Sequence, residues 1–273
     1  MPYVLNTPAD VSAMLQAIGA GTLEELFAPI PAELRLQRPL DIPAALSELE
    51  LSQHLAALSR KNQAAGEGLC FLGGGSYDHF IPSVVDAISS RSEFYTAYTP
   101  YQAEASQGSL QAFYEYQTLI CQLTDLDVAN ASLYEGASSV AEAVVMGINA
   151  TERKGNVIVA ASMHPEYRQV LATYLEPLGV PLLTVPTPQG YLEPAHLKAV
   201  LNSETAAVVF QHPNFYGHLE EADELCRLAK EAGALSVASF DPISTGLLKR
   251  PGQYGADIAV AEGQSLGTPM GYG

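Results

Sequence analysis

The chain has 273 residues carrying 13 Lys and Arg against 30 Asp and Glu, a formal net charge of −17. That length suits one large α/β domain with an appendage, or two small domains, and the acidity excludes a nucleic-acid-backbone binder, which needs clustered basic side chains. Only 16% of residues are charged and 48% are apolar, against a usual charged share of about 25%, so a partner is expected to cover much of the surface.

The amino end, Met1-Pro2-Tyr3-Val4-Leu5-Asn6, has no basic n-region and no apolar h-region, and no apolar run approaches the ~18 residues of a membrane span. Cys70, Cys121 and Cys226 are far apart and odd in number, which fits a reducing compartment better than a disulfide framework or a zinc site. The expectation is a cytoplasmic protein whose partners include no membrane and no nucleic acid.

Residues 1–65 read as a helical, proline-punctuated N-terminal arm. Thr22 is a candidate N-cap for Leu23 to Phe27, with Glu25 as its capping-box partner. Ser47-Glu-Leu-Glu50 opens a second helix with Leu51, Leu55 and Leu58 on one face. Residues 66–273 read as one α/β domain. Gly73-Gly-Gly75 opens it, and the Tyr-, Gln- and Ser-rich stretch Tyr77–Gln107 reads as a long loop, too aromatic to be disordered.

Regular patterning starts with helices over Gln111–Leu123 and Ala137–Ile148. Strand-type runs follow at Val157–Ala161, Pro181–Val185, Ala206–Phe210, Ala234–Ala238 and Ala256–Val260. Helical segments at Glu166–Leu178, Pro194–Leu201 and Leu219–Ala232 separate most of them. Short apolar strands alternating with helices predict a mostly parallel sheet covered on both faces.

Several motifs fail on context. Gly263-Gln-Ser-Leu-Gly267 matches a nucleophile elbow in spelling, but Gly267-Thr268-Pro269 breaks the required helix and no Asp, Glu or His follows. Gly73-Gly-Gly75 lacks the rest of a P-loop or dinucleotide fingerprint. His212 and His218, near Glu220 and Glu221, lack helical metal-ligand pairing, so no metal is expected.

The carboxyl ends of the predicted strands are where open α/β sheets bind ligands. Gly136 and Ser138 start a helix whose amides could hold a phosphate. His164, Asn214 and Asp241 follow three strands and offer an imidazole, an amide and a carboxylate. Together they describe a pyridoxal phosphate cradle; taken singly, Ser138 and Asp241 read equally well as caps, and His164 and Asn214 as loop residues. The cradle lacks a Schiff-base lysine, whose place falls around Glu262 to Ser265. Lys249 is the only lysine after Asp241.

Three stretches, Phe71–His79, Arg91–Gly108 and Asn130–Gly136, resemble the glycine cleavage system P-protein family (glycine decarboxylase). More narrowly they are similar to the first subunit in organisms that split that enzyme in two. His164-Pro-Glu-Tyr-Arg168, Gly255-Ala-Asp257 and Glu262–Gly267 extend the resemblance over most of the chain. It implies a fold-type-I, pyridoxal-phosphate-transferase-like large domain. It also implies decarboxylation of glycine, with transfer of the aminomethyl group to the lipoyl arm of the H-protein. The cofactor lysine of split forms belongs to the second subunit, so pyridoxal phosphate would be held covalently by the partner in a heterotetramer of two copies of each subunit. The cradle here is then expected to be empty. The family's subunit continues past Gly273 through a glycine-rich stretch and a small C-terminal domain, so the sequence reads as a fragment or a truncated product.

On this reading Tyr95, Tyr98, Arg91 and His79 contribute to an interface active site. Tyrosine rings exclude water while placing a hydroxyl, Pro100 stiffens the segment, and Arg91 suits a carboxylate such as that of glycine. The competing reading packs the tyrosines at an interface and pairs Arg91 with Glu93 or Asp86. Two further alternatives stay open: a self-sufficient pyridoxal phosphate lyase using Lys249, and a non-catalytic scaffold that stabilises the lysine-bearing subunit.

Overall fold

The computed structural model describes residues 5–64, 68–69, 71, 73–75, 77–95 and 100–269. The chain divides into two compact units, Met1–Leu69 and Cys70–Gly273.

In the first unit α1 (Pro8–Ile18) starts from a capping box. The Thr7 hydroxyl accepts from Asp10 N at 3.2 Å, and Thr7 N donates to the Asp10 carboxylate at 2.8 Å. Pro8 occupies the first helical position, where its missing N–H costs nothing. Helix α2 (Glu48–Ser59) repeats the device with Ser47 and Glu50. At Thr22 the outcome is tighter than expected, a 3-10 turn over Glu24–Phe27. The Glu25 carboxylate accepts from Gly21 N at 2.9 Å, and the Thr22 hydroxyl accepts from Glu25 N only at 3.4 Å. No residue of α1 or α2 is buried.

The second unit holds α3 (Ser83–Ser89) and α4 (Ser92–Tyr95) inside the stretch expected to be a loop. Seven and four residues are too few for a helical period to show in sequence. Helices α5 (Gln107–Thr124) and α6 (Gly136–Thr151) precede a β/α series: β1 (Asn156–Ala160), α7 (Pro165–Leu175), β2 (Leu182–Val185), α8 (Pro194–Val200), β3 (Thr205–Gln211), α9 (Ala222–Glu231), β4 (Leu235–Ser239) and β5 (Ile258–Val260).

All pairings are parallel, in the order β2-β1-β3-β4-β5. Period-two alternation sends Val157 and Val159 to one face and Ile158 and Ala160 to the other. The first face packs with Val140, Val144, Leu171 and Leu175 of α6 and α7. The second packs with Leu197, Leu225 and Ala229 of α8 and α9. Gly147 of α6 faces the sheet, where a Cβ would meet Ala207 Cβ at 3.6 Å, an ordinary van der Waals contact. The strand order reverses between β1 and β3, so their carboxyl ends diverge and open a crevice. Among the described residues no helix is long and apolar enough to cross a membrane.

Candidate functional site

That crevice is lined by His164 and Tyr167 after β1, Gln211 and Phe215 from β3 onward, and Ser239 to Pro242 at the end of β4. Glu262, Gln264 and Ser265 close it from beyond β5, and Gly75, Tyr77 and His79 from the segment before α3.

His164 is buried and held on every side. Its N–H donates to Gln211 Oε1 at 2.9 Å, and its Nδ1 accepts from Glu166 N at 3.2 Å. Nε2 therefore carries the ring proton and donates to Gly74 O at 3.0 Å. The ring stacks on Tyr167, with centroids 4.7 Å apart, and meets the edge of Phe215 at 4.8 Å. The glycine turn lies against it, with Gly75 at φ +95°. An imidazole read from the sequence as a cofactor stacker thus has a tyrosine as its stacking partner.

His79 ties two segments together. Its Nε2 faces Thr268 O at 2.7 Å and its Nδ1 faces Tyr77 O at 2.9 Å. Only the imidazolium donates to both carbonyls, and they, with the Asp78 charge, raise its pKa above the ordinary histidine value. Asp241 Oδ1 accepts from Ile243 N at 3.0 Å, capping the 3-10 turn Pro242–Gly246, and from the Ser265 hydroxyl at 3.4 Å.

Asn214 is elsewhere. It is buried, its Nδ2 donates to Gly190 O at 2.7 Å and to Glu220 Oε1 at 2.8 Å, and its Oδ1 accepts from Tyr216 N and His218 N. Both ends of the amide are engaged, so Asn214 is a loop anchor rather than a crevice donor. The buried Glu220 carboxylate also accepts from the Ser162 hydroxyl and Leu192 N, each at 2.7 Å. His212 Nδ1 accepts from Glu220 N at 3.1 Å, and burial pushes its pKa down. Among the described residues no three His, Cys, Asp or Glu gather as a metal set.

The start of α6 carries Gly136 and Ser138. Gly136 N donates to Glu262 Oε1 at 2.6 Å, while Ala137 N and Ser138 N donate to the Glu135 carboxylate at 2.7 Å each. Burial opposes ionisation of Glu135, but these bonds from Ser138 and Ala137 outweigh it and lower its pKa. Tyr167 donates its hydroxyl to Glu262 Oε1 at 3.3 Å, and burial followed by the Glu262 charge pushes the phenol pKa up.

Of the interface-site candidates among the described residues only His79 lines the crevice. Tyr95 ends α4 and is 69% exposed. Arg91 pairs with Glu93 at 2.8 Å on the surface, which is the competing arrangement. Tyr98 lies outside the described residues.

Pyridoxal phosphate needs a Schiff-base amine and phosphate donors. No lysine lines the crevice, and Lys249, the amine of the self-sufficient alternative, sits in an exposed pair with Asp223 at 2.6 Å. The first amides of α6 are bonded to carboxylates. The crevice of this chain does not fit the cofactor.

A parallel sheet of this order, covered on both faces and open at its strand ends, is a doubly wound α/β sheet, and its superposition on a glycine decarboxylase structure at 48% identity makes it the large domain of a fold-type-I pyridoxal phosphate enzyme. A C-DES mutant with glycine covalently linked to its PLP cofactor shares the fold alone (TM-score 0.52, 14% identity, 74% of this chain and 56% of that chain). The family model for the glycine cleavage system P-protein matches residues 1–273, and the chain belongs to that family. The "probable glycine dehydrogenase (decarboxylating) subunit 1" of Carboxydothermus hydrogenoformans is 50% identical over 273 residues, which cover all of this chain and 61% of that protein. A crystal structure of glycine decarboxylase (P-protein) in inhibitor-bound form superposes with a TM-score of 0.86 at 48% identity, over 100% of this chain and 61% of that one. The chain therefore spans about three-fifths of the length of these relatives.

Proposed function

We propose that this chain is the part of a two-subunit glycine dehydrogenase (decarboxylating) of the glycine cleavage system that carries no Schiff-base lysine. Its second subunit holds pyridoxal phosphate covalently, and the aminomethyl group of glycine passes to the lipoyl H-protein. The cofactor supplies the electron sink for decarboxylation in that partner. The observation that carries the reading is the crevice at the β1/β3 switch point with the family's fold and no lysine in its lining. This chain's own part is architectural and interfacial. His79 fastens the Tyr77 segment to Thr268, and Tyr95, Tyr98 and Arg91 belong to the neighbouring aromatic segment that meets the partner's pocket. A cytoplasmic heterotetramer of two copies of each subunit is part of the same proposal.

The chain purified alone should lack the internal-aldimine absorbance near ~420 nm, because no lysine is placed to form it. Borohydride reduction of the complex should label the second subunit. Label on Lys249, lost in Lys249→Ala alone, would overturn the assignment. The Arg91–Glu93 pair favours a second reading, a scaffold. Replacing Tyr98 or Arg91 by Ala separates the two: on the interface reading, exchange of bicarbonate into glycine falls about tenfold or more in an assembled complex. Unchanged exchange in both variants makes the segment structural.

A further inference from the structure

The N-terminus of a helix facing a strand-end crevice is the anion position of such folds, with up to three orphan amides and the positive end of the helix dipole. In this chain none of the three is free. Gly136 N is bonded to Glu262, and Ala137 N and Ser138 N to Glu135. The next amide, Ser139 N, already bonds Glu135 O at 3.0 Å within the helix. Glu135 is a local cap, but Glu262 arrives from 126 residues away.

We propose that Glu262, together with Glu135, is a built-in occupant of the anion position, which closes this crevice to phosphorylated ligands and fastens the segment after β5 onto α6 and α7. Space argues for it as well as charge. A Cβ on Gly136 would lie 2.2 Å from the Tyr167 hydroxyl oxygen and 2.8 Å from Glu262 Oε1, so both side chains are packed directly against the start of α6. Two carboxylates already face the helix dipole, and a phosphate dianion would meet them as like charges. The Glu262 oxygen that takes Gly136 N also takes the Tyr167 hydroxyl, and the Tyr167 ring stacks on His164. A continuous line from α6 through Glu262 and Tyr167 to His164 thus spans the crevice. This goes beyond the missing lysine. Lacking an amine forbids a Schiff base but leaves non-covalent capture of a phosphorylated ligand at the α6 amides open, and it is that capture the carboxylates oppose.

The test uses inorganic phosphate as probe on the full chain in its soluble assembly. The backbone amide resonances of Gly136, Ala137 and Ser138 in the wild-type chain should not move as phosphate is added. Their movement would overturn the proposal. Glu262→Ala and Glu135→Ser, each removing one carboxylate, should gain phosphate-dependent shifts at these amides and a phosphate-dependent rise in Tm. The serine keeps a capping oxygen. Failure of both folded variants to gain phosphate binding would also overturn it, and if neither folds, the wild-type resonances decide. The functional reading fails on a different signal: an aldimine band with unmoved amides sinks that reading and leaves this one standing.

Discussion

Tyr254 is 4% exposed, and its hydroxyl has no hydrogen-bond partner. Its ring meets His212 at 5.6 Å between centroids, contacts that do not need the hydroxyl. A buried unsatisfied group costs about 1–3 kcal/mol, so Tyr254→Phe should leave Tm unchanged or raise it; a clear loss of stability in urea unfolding would show that the hydroxyl has a partner. Glu220 is the opposite case. Truncation to Ala strands the Ser162 hydroxyl, the Asn214 amide and Leu192 N, and should cost roughly 3 kcal/mol or more by the same measurement. His79 gives a pH dependence with a definite sign. Its pKa is raised by Thr268 O, Tyr77 O and Asp78, so its tie is complete below the ordinary value of 6.5 and is lost as pH rises through the raised value. An imidazole resonance titrating with a midpoint at or below 6.5 would contradict this. At this scale the sequence located His164 and Asp241, because both follow buried strands at the ligand-binding edge. Asn214 follows a strand as they do but is not in the crevice lining, because its partners, Gly190 and Glu220, are brought to it only by folding.

Short-range signals were legible in the elements and long-range ones were not. Ser47 and Glu50 announce α2 three residues apart, and Thr7, Pro8 and Asp10 carry the same signal for α1. The strand runs could be read because each is apolar on both faces, which a covered parallel sheet demands. The glycine turn against His164 and the reach of Glu262 to α6 had no local signature. Nor had the junction at Gly252. Helix α5 ends at Asp125, in the left-handed region at φ 60°, and the Arg250 guanidinium donates to Gln122 O at 3.0 Å. A Cβ on Gly252 would sit 1.8 Å from Asp125 O, a backbone atom that no rotamer change moves. Gly252→Ala should therefore push α5 off the 3-10 turn Pro251–Tyr254 and cost about 1–3 kcal/mol. Wild-type urea stability for that variant would show the junction to be loose.

Across the whole chain, a charge of −17 coexists with a charged share of only 16%, and most of the large apolar side chains left uncovered precede α6. On α5, Phe113, Tyr114, Tyr116 and Leu119 are 42%, 71%, 38% and 62% exposed, and Val128 and Tyr134 nearby in sequence reach 83% and 95%. Of the 18 residues of that helix only Thr124 is buried, so its aromatic faces have no cover within the described residues. In the other unit Leu51, Leu55 and Leu58 are 46%, 54% and 41% exposed on α2. Large apolar side chains exposed in this number mark interaction surface on a stable protein and an aggregation liability on an isolated one. An obligate contact of roughly 2,000 Å² or more would cover it. The net negative charge opposes association between copies only over about a Debye length, ~8–10 Å at ordinary salt, and does not compensate exposed aromatics in contact. Expressed alone, the chain should self-associate or aggregate, and co-expression with its proposed second subunit should return it to a defined assembly. Light scattering at micromolar concentration measures this directly. A monodisperse monomer, unchanged in mass when the second subunit is added, would mean that these faces are not an interface.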